Sequence, residues 1–319
     1  MELNCEETVQ DGISRAPEKQ PFNWMQEEFI SELTSMWLYL EFAFAVPKQV
    51  YEITYFGQKK DLHRQLLCHA IHEMRHAEML ARIMLKWGGK PKWQLSRLPQ
   101  AESYRDFLNA AMSNEARNLE SYQLRDTEVG DHELKVLLAN LLREDNAHLQ
   151  VDQAIQQVLT AQGVIDGPLP PPRGNGQFGE DIKKLEQAAW LEIKSISRLI
   201  YASLLLGMDQ SIAPRARALA IEDMQHLNRI AQEITTTGGR LTIPGEVLEL
   251  EESDDFAKLL QDVIGLKNDK VRTYKESKPQ FNVPGGGQLL GTLLAKEEEN
   301  IVDLEAYLQS LKQYPLTVH

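Results

Sequence analysis

The chain of 319 residues is poor in cysteine, with only Cys5 and Cys68. Cys5 lies in a polar leader and Cys68 in a helical run. A disulfide framework is therefore not expected, and a reducing cytoplasm is the expected setting. No apolar run is long enough to span a bilayer. The opening stretch MELNCEETVQDGISRAPEKQ lacks the apolar core that a secretory signal needs. Basic residues are also short, 34 Lys and Arg against 47 Asp and Glu, for a formal net charge of −13. That deficit argues against nucleic-acid binding, whose affinity comes from neutralised phosphates. Segments alternating with period two are scarce, so a sheet is not expected. There is no Walker loop, Rossmann fingerprint, Cys-x-x-Cys pair or nucleophile elbow. What remains is a globular composition, 42% hydrophobic and 25% charged, with acidic groups in excess. Part of that acidity is of the kind a metal neutralises.

Helical periodicity between breakers marks eight long segments. The first four run over residues 24–46, 61–87, 102–127 and 131–162. Gly88-Gly89 and Pro91 stop the second, and Asp131 is placed to cap the fourth. The stretch GVIDGPLPPPRGNGQFGED then has the composition of a linker. Four more segments follow over residues 182–206, 213–237, 254–276 and 287–313. The expected fold is all-α, with two four-helix bundles in tandem that pack together. The leader takes residues 1–20, the first bundle 21–163, the linker 164–180 and the second bundle 181–319.

One segment is duplicated. Residues 70–90 read AIHEMRHAEMLARIMLKWGGK and residues 220–240 read AIEDMQHLNRIAQEITTTGGR. Each copy carries a carboxylate three residues before a histidine: Glu73 and His76, then Asp223 and His226. That spacing is nearly one helical turn, so oxygen and nitrogen share a helix face. A helix offers one metal ion two ligands in this way, and the repetition points to a duplicated helical domain.

A dinuclear carboxylate centre in a bundle takes one Glu from each of two helices and Glu-x-x-His from each of the other two. The first half supplies Glu32, then Glu73 with His76, then Glu115, then Asp145 with His148. Glu144, four residues before His148, competes with Asp145 for the fourth-helix position. A lone Glu-x-x-His is usually a surface pair; four matching helices in order are not. Four carboxylates neutralise two divalent cations, and oxygen with imidazole suits two irons, with manganese or a manganese–iron pair as alternatives. Tyr39 and Tyr122 each lie seven residues after a ligand candidate, Glu32 and Glu115. They point along the same face, either to hydrogen-bond the ligands or as plain core aromatics. His69 and His72 sit on nearly the same ridge as His76, to orient it or simply to pack.

These residues resemble the ferritin-like superfamily, in its bacterioferritin and rubrerythrin branch. EMRHAEMLARIMLKWGGKP is similar to the second-helix motif of those proteins, and SELTSMWLY to the first-helix pattern of a Glu followed seven residues later by Tyr. Asp145 departs from the fourth-helix Glu-x-x-His by one methylene. The resemblance covers the four helices of the first half and, more weakly, the second. It implies two tandem ferritin-like bundles and, through bacterioferritin, a ferroxidase or iron-storage role.

The second half is degenerate. Its candidate ligands are Glu192, Asp223, His226, Asp269 and Glu297, where Asp269 in KNDK is aligned with Glu115 in NEAR. Asn300 falls where His148 stands, so this half lacks an imidazole; inert scaffold is the expectation slightly preferred. A two-iron carboxylate centre binds dioxygen and oxidises a small organic substrate. That reaction, with an external electron donor allowed for, is the expected activity. One kept and one damaged half fit a monomer or small homo-oligomer better than a storage cage. The alternatives are ferroxidase and storage, or a manganese catalase-like or peroxidase-like role.

Overall fold

The computed structural model describes residues 22–55, 57–95, 98–171, 178–205, 213–253, 255–278, 281–282 and 285–313. The leader with Cys5 and part of the linker lie outside the described residues.

The first bundle consists of α1 (Phe22–Ala45), α2 (Leu62–Lys86), α3 (Tyr104–Glu128) and α4 (His132–Ala161). A hairpin, β1 (Glu52–Tyr55) and β2 (Gln58–Asp61), separates α1 from α2. The second bundle consists of α5 (Gly179–Leu205), α6 (Ala213–Thr236), α8 (Phe256–Ser277) and α9 (Gly286–Gln313), with a single turn, α7 (Gly245–Leu248), before α8. The fold is all-α in two four-helix bundles. Among the described residues no helix is long and apolar enough to cross a membrane.

Local chemistry sets the helix ends. Asp61 accepts from the Arg64 N–H, Asp131 from Leu134 and Asp255 from Lys258. Ser103 and Asp106 form a reciprocal capping box at the start of α3. Gly88 and Gly238, at φ +78 and +81, end α2 and α6 with the same left-handed turn. The hairpin departs from the sheet-free expectation. Its strands are four residues each, too short for a period-two pattern to register. Ile53 supplies a fully buried apolar side chain, and Gly57 stands at φ +73 in the turn.

α1 is buried on nearly every side. It packs on α2 and α3 in its own bundle and on α6 in the other. Reciprocally, α5 packs on α6 and α8, and on α2 across the interface. One continuous apolar core therefore runs through both bundles. Burying each large side chain in it contributes roughly 1.5–3 kcal/mol. Polar contacts lock the junction: Arg217 Nε lies 2.7 Å from Glu78 Oε2, and the Trp93 indole donates to the Leu248 carbonyl at 2.9 Å.

Candidate metal centre

The carboxylates and imidazoles of the first bundle meet at mid-helix. Glu32, Glu73, His76, Glu115 and Asp145 have no solvent exposure, and His148 is 3% exposed. They form two triads, Glu32–His76–Asp145 and Glu73–Glu115–His148, each with donor atoms within 4.8 Å of one another. In the first, His76 Nδ1 lies 3.3 Å from Glu32 Oε2 and 3.2 Å from Asp145 Oδ1. In the second, His148 Nδ1 lies 2.6 Å from Glu73 Oε1 and 3.9 Å from Glu115 Oε1. The other oxygen of Glu73 is 3.9 Å from His76 Nδ1. Glu73 thus stands between the triads.

These inward atoms are at ion-pair distance but not in hydrogen-bond alignment. Glu32 Oε2, both Glu73 oxygens, Glu115 Oε2, both Asp145 oxygens and both Nδ1 atoms have no hydrogen-bond partner. So dense a set of orphaned buried donors and acceptors is costly unless something binds it. The outward Nε2 atoms are held: His76 Nε2 by Glu144 Oε2 at 3.0 Å, and His148 Nε2 by His72 Nδ1 at 3.3 Å. A carboxylate on Nε2–H fixes the tautomer that turns the Nδ1 lone pair inward. Of the two fourth-helix acids, Asp145 faces the cluster. Glu144 lies outside it, 40% exposed at its side chain.

Without cations the centre balances itself with protons. Burial, then Glu115 and Glu32, push the Glu73 carboxyl well above the usual range. Burial and Asp145 do the same to Glu115. Burial and Glu32 push Asp145 up to about 7. Burial also opposes charge on Glu32, but His76 outweighs it and holds the carboxyl below its ordinary value. Burial depresses His76, yet Asp145, Glu144 and Glu32 together raise it well above. His148, buried beside His69 and His76, is depressed. Crowded, buried acids of this kind create a demand for positive charge that protons or cations can meet.

Both tyrosines touch carboxylates. The Tyr122 hydroxyl donates to Glu32 Oε1. The Tyr39 hydroxyl lies 2.9 Å from Glu115 Oε1 and 2.8 Å from Asp152 Oδ2. It has one proton, so it can donate to only one of them. Burial pushes Asp152 up to about 7 and Glu115 well above the usual range, so a proton held on either carboxyl completes the chain Asp152–Tyr39–Glu115. Asp152 was not among the sequence candidates; its signal is the seven-residue step after Asp145. Asn118, also missed, is three residues after Glu115. It lies 3.4 Å from Glu32 Oε1 through Nδ2 and accepts from Ser31 Oγ at 2.7 Å. His69 is fully buried, with its ring 4.5 Å from His148 and edge-on to Tyr39.

Residues 48–160 match the family model described as ferritin-like domain. That range is a ferritin-like domain. The match carries the α2, α3 and α4 residues of the centre, while Glu32 precedes it. No match is found among curated proteins.

The second bundle repeats the four-helix arrangement but fills its centre. The Tyr274 hydroxyl donates to Glu192 Oε1, as Tyr122 does to Glu32. That pairing sets α8 against α3 and puts Lys267 where Glu115 stands and Lys270 where Asn118 stands. Lys267 Nζ lies 3.1 Å from Asp223 Oδ1 and 2.8 Å from Glu297 Oε2. Lys270 Nζ lies 2.5 Å from Glu192, 3.0 Å from Asp223 and 2.9 Å from Glu297. His226 Nδ1 is 3.2 Å from Glu297 Oε1. Burial works against charge on His226, but Glu192 and Glu297 raise it to about 9. Three carboxylates thus face two ammoniums and an imidazolium.

Glu192, Asp223, His226 and Glu297 do approach one another closely enough to share an ion. Their oxygens are nevertheless taken by the lysines. Asp269 does not join them: its carboxylate is 45% exposed and meets Arg272 at 2.7 Å. The alignment of KNDK with NEAR that proposed Asp269 is two residues out of step with the register set by Tyr274. Asn300, in the place of His148, donates to Glu222 Oε1 at 3.0 Å.

Proposed function

We propose that the protein is a dimetal-carboxylate oxidoreductase with one centre per chain, in the first bundle, that uses dioxygen to oxidise a small organic substrate. The observation that carries this reading is the pair of triads with Glu73 between them and their inward atoms unpartnered. Glu32, Glu73, Glu115 and Asp145 would neutralise two divalent cations, and His76 and His148 would complete the set through Nδ1. Two ferrous ions held by these residues would supply the electrons that reduction of dioxygen requires.

The protein's own part is to orient, to exclude water and to move protons. Glu144 and His72 hold the outer nitrogens of the imidazoles. Tyr122 belongs to one apolar cluster, with Met25, Leu80 and Leu141, and Tyr39 to another. The centre lies between them, cut off from bulk water. The Asp152–Tyr39–Glu115 chain joins the centre to a second buried carboxyl that can give or take a proton.

A centre in one half only supports a monomer or small oligomer turning over substrate, with an external donor to restore the reduced metals. Iron storage is the competing reading. Anaerobic Fe(II) loading followed by size-exclusion mass separates the two. We expect about two irons per chain, lost in Glu73→Ala, in a small particle. Many irons per chain in a large shell would establish storage instead. Zinc alone, or no transition metal, would overturn the reading.

A further inference from the structure

The bundles meet through equivalent surfaces, α1 on α6 and α2 on α5. The duplication therefore lets one end of the interface be compared with the other. After the shared Gly-Gly turn, Lys90 and Trp93 stand where Arg240 and Ile243 stand 150 residues later. On α1 and α5 the step is 160, from Glu32 to Glu192, and it sets Glu41 against Tyr201.

At one end the space is full. The Trp93 and Tyr201 rings meet edge-on with centroids 6.3 Å apart, and Lys90 Nζ lies 5.8 Å from the Tyr201 ring centre. At the other end both rings are replaced, by Ile243 and Glu41, and a cavity of about 1010 Å³ stands there. Leu98, Pro170, Ile243 and Pro244 line it together with Glu41 and Arg240.

Arg240 and Glu41 are each only 8% exposed. Arg240 gives one N–H to the Ala101 carbonyl at 3.0 Å, and its Nε–H has no partner. Among the described residues no carboxylate closes on it within ion-pair distance. A buried guanidinium with unused donors calls for an anion. Glu41, which lines the same cavity, makes no ion pair with Arg240, and burial pushes its carboxyl up to about 7 against the pull of Arg240. The exposed Glu102 and Glu249, which also line the cavity, disfavour ligands with more than one negative charge.

We propose that this cavity binds a flat aromatic monocarboxylate, its carboxylate on Arg240 and its ring in the space that Trp93 and Tyr201 fill at the opposite end. The site is distinct from the metal centre: Glu41 is nine residues beyond Glu32, about 14 Å along α1. The proposal does not depend on the metal reading.

The test is calorimetric titration of 2-naphthoate into the full chain. One equivalent should bind per chain, with neutral 2-naphthamide weaker by roughly tenfold or more. Arg240→Met should weaken 2-naphthoate by a similar factor. Ile243→Trp restores the ring present at the other end and should abolish binding. Unfolding temperature and metal content report that each variant is intact. If Arg240→Met does not fold, the acid–amide comparison and Ile243→Trp decide. Absence of 2-naphthoate binding, equal affinity for the amide, or undiminished binding by Ile243→Trp would overturn the proposal.

Discussion

Lys267 of the second bundle occupies the place that Glu115 occupies in the first. Each lies seven residues before a tyrosine, Tyr274 or Tyr122, whose hydroxyl bonds the carboxylate of the bundle's first helix. One exchange turns an acid that must be neutralised into a cation that neutralises. With Lys270 in the place of Asn118, two ammoniums stand among the acids of the second bundle. The first bundle leaves its buried acids without a side-chain cation of that kind; the second neutralises its acids with its own lysines.

The metal count follows. The intact chain should bind about two divalent ions, not four. Asn300→His alone should add none, because the lysines still hold the oxygens of Asp223 and Glu297. Lys267→Glu, Lys270→Asn and Asn300→His together rebuild the donor set of the first bundle and should bring the count to about four. Metal analysis after anaerobic loading and desalting reads this directly. A fourfold count in the unaltered chain would show that the lysines give way to metal.

The lysines should also be structural. Lys270 touches Glu192, Asp223 and Glu297, all with fully buried side chains. Lys270→Met would leave three acids facing one ammonium and one imidazolium. Breaking a buried network from one side typically costs about 3–5 kcal/mol. Denaturant unfolding of metal-free protein should register a loss of that order. A change below about 1 kcal/mol would mean that the acids simply take up protons.

How far the sequence spoke for itself depends on which interactions write a local pattern. Helix ends did, because Asp61, Asp131 and the two Gly-Gly turns act within a few residues of themselves. The mid-helix acids and histidines of the first bundle did too, because i, i+3 spacing fixes a face. The β1–β2 hairpin did not, since four-residue strands carry too little alternation. Aligning the repeat on acid identity points to Asp269, two residues past Lys267, the true counterpart of Glu115. The seven-residue step to tyrosine was present, but it gains meaning only once Tyr274 is seen on Glu192. Asp152 needed Tyr39 across the bundle, and the Arg240 cavity needed to know which loops of the two halves meet.

Stability should depend on pH through His226. Its folded value of about 9 lies above its ordinary 6.5, raised by Glu192, Glu297 and Asp223 although burial opposes it. A raised histidine contributes fully below 6.5 and loses its contribution as pH climbs through 9. The groups facing it are Glu192, Glu222, Asp223 and Glu297. Lys267 and Lys270 sit on the same oxygens. The contribution at stake is at most about 3 kcal/mol. Urea midpoints should fall between pH 6.5 and 9 in the intact protein and fall less in His226→Gln. Parallel curves for the two proteins would remove His226 as the cause.

The last prediction concerns Asp152, which touches Tyr39 and stands one residue back from the ligand candidate Glu115. If it serves as a proton source, its value lies in the acidic proton and not in its shape. Asp152→Asn retains a group that can donate a hydrogen bond to the Tyr39 oxygen, but it has no acidic proton to pass on. Tyr39→Phe removes the link itself. Both variants should load the same number of metals, since neither side chain is in the triads. Both should oxidise bound Fe(II) more slowly under dioxygen, by roughly tenfold to a hundredfold, the scale at which a positioned acid acts. The solvent deuterium isotope effect separates this role from a structural one. It should be sizeable in the intact protein and altered in Asp152→Asn, whereas a merely misshapen centre would change the rate and leave the isotope effect as it was. Unchanged rates in both variants would mean that the buried Asp152–Tyr39–Glu115 chain only fills and satisfies the core, and that protons reach the centre by another path.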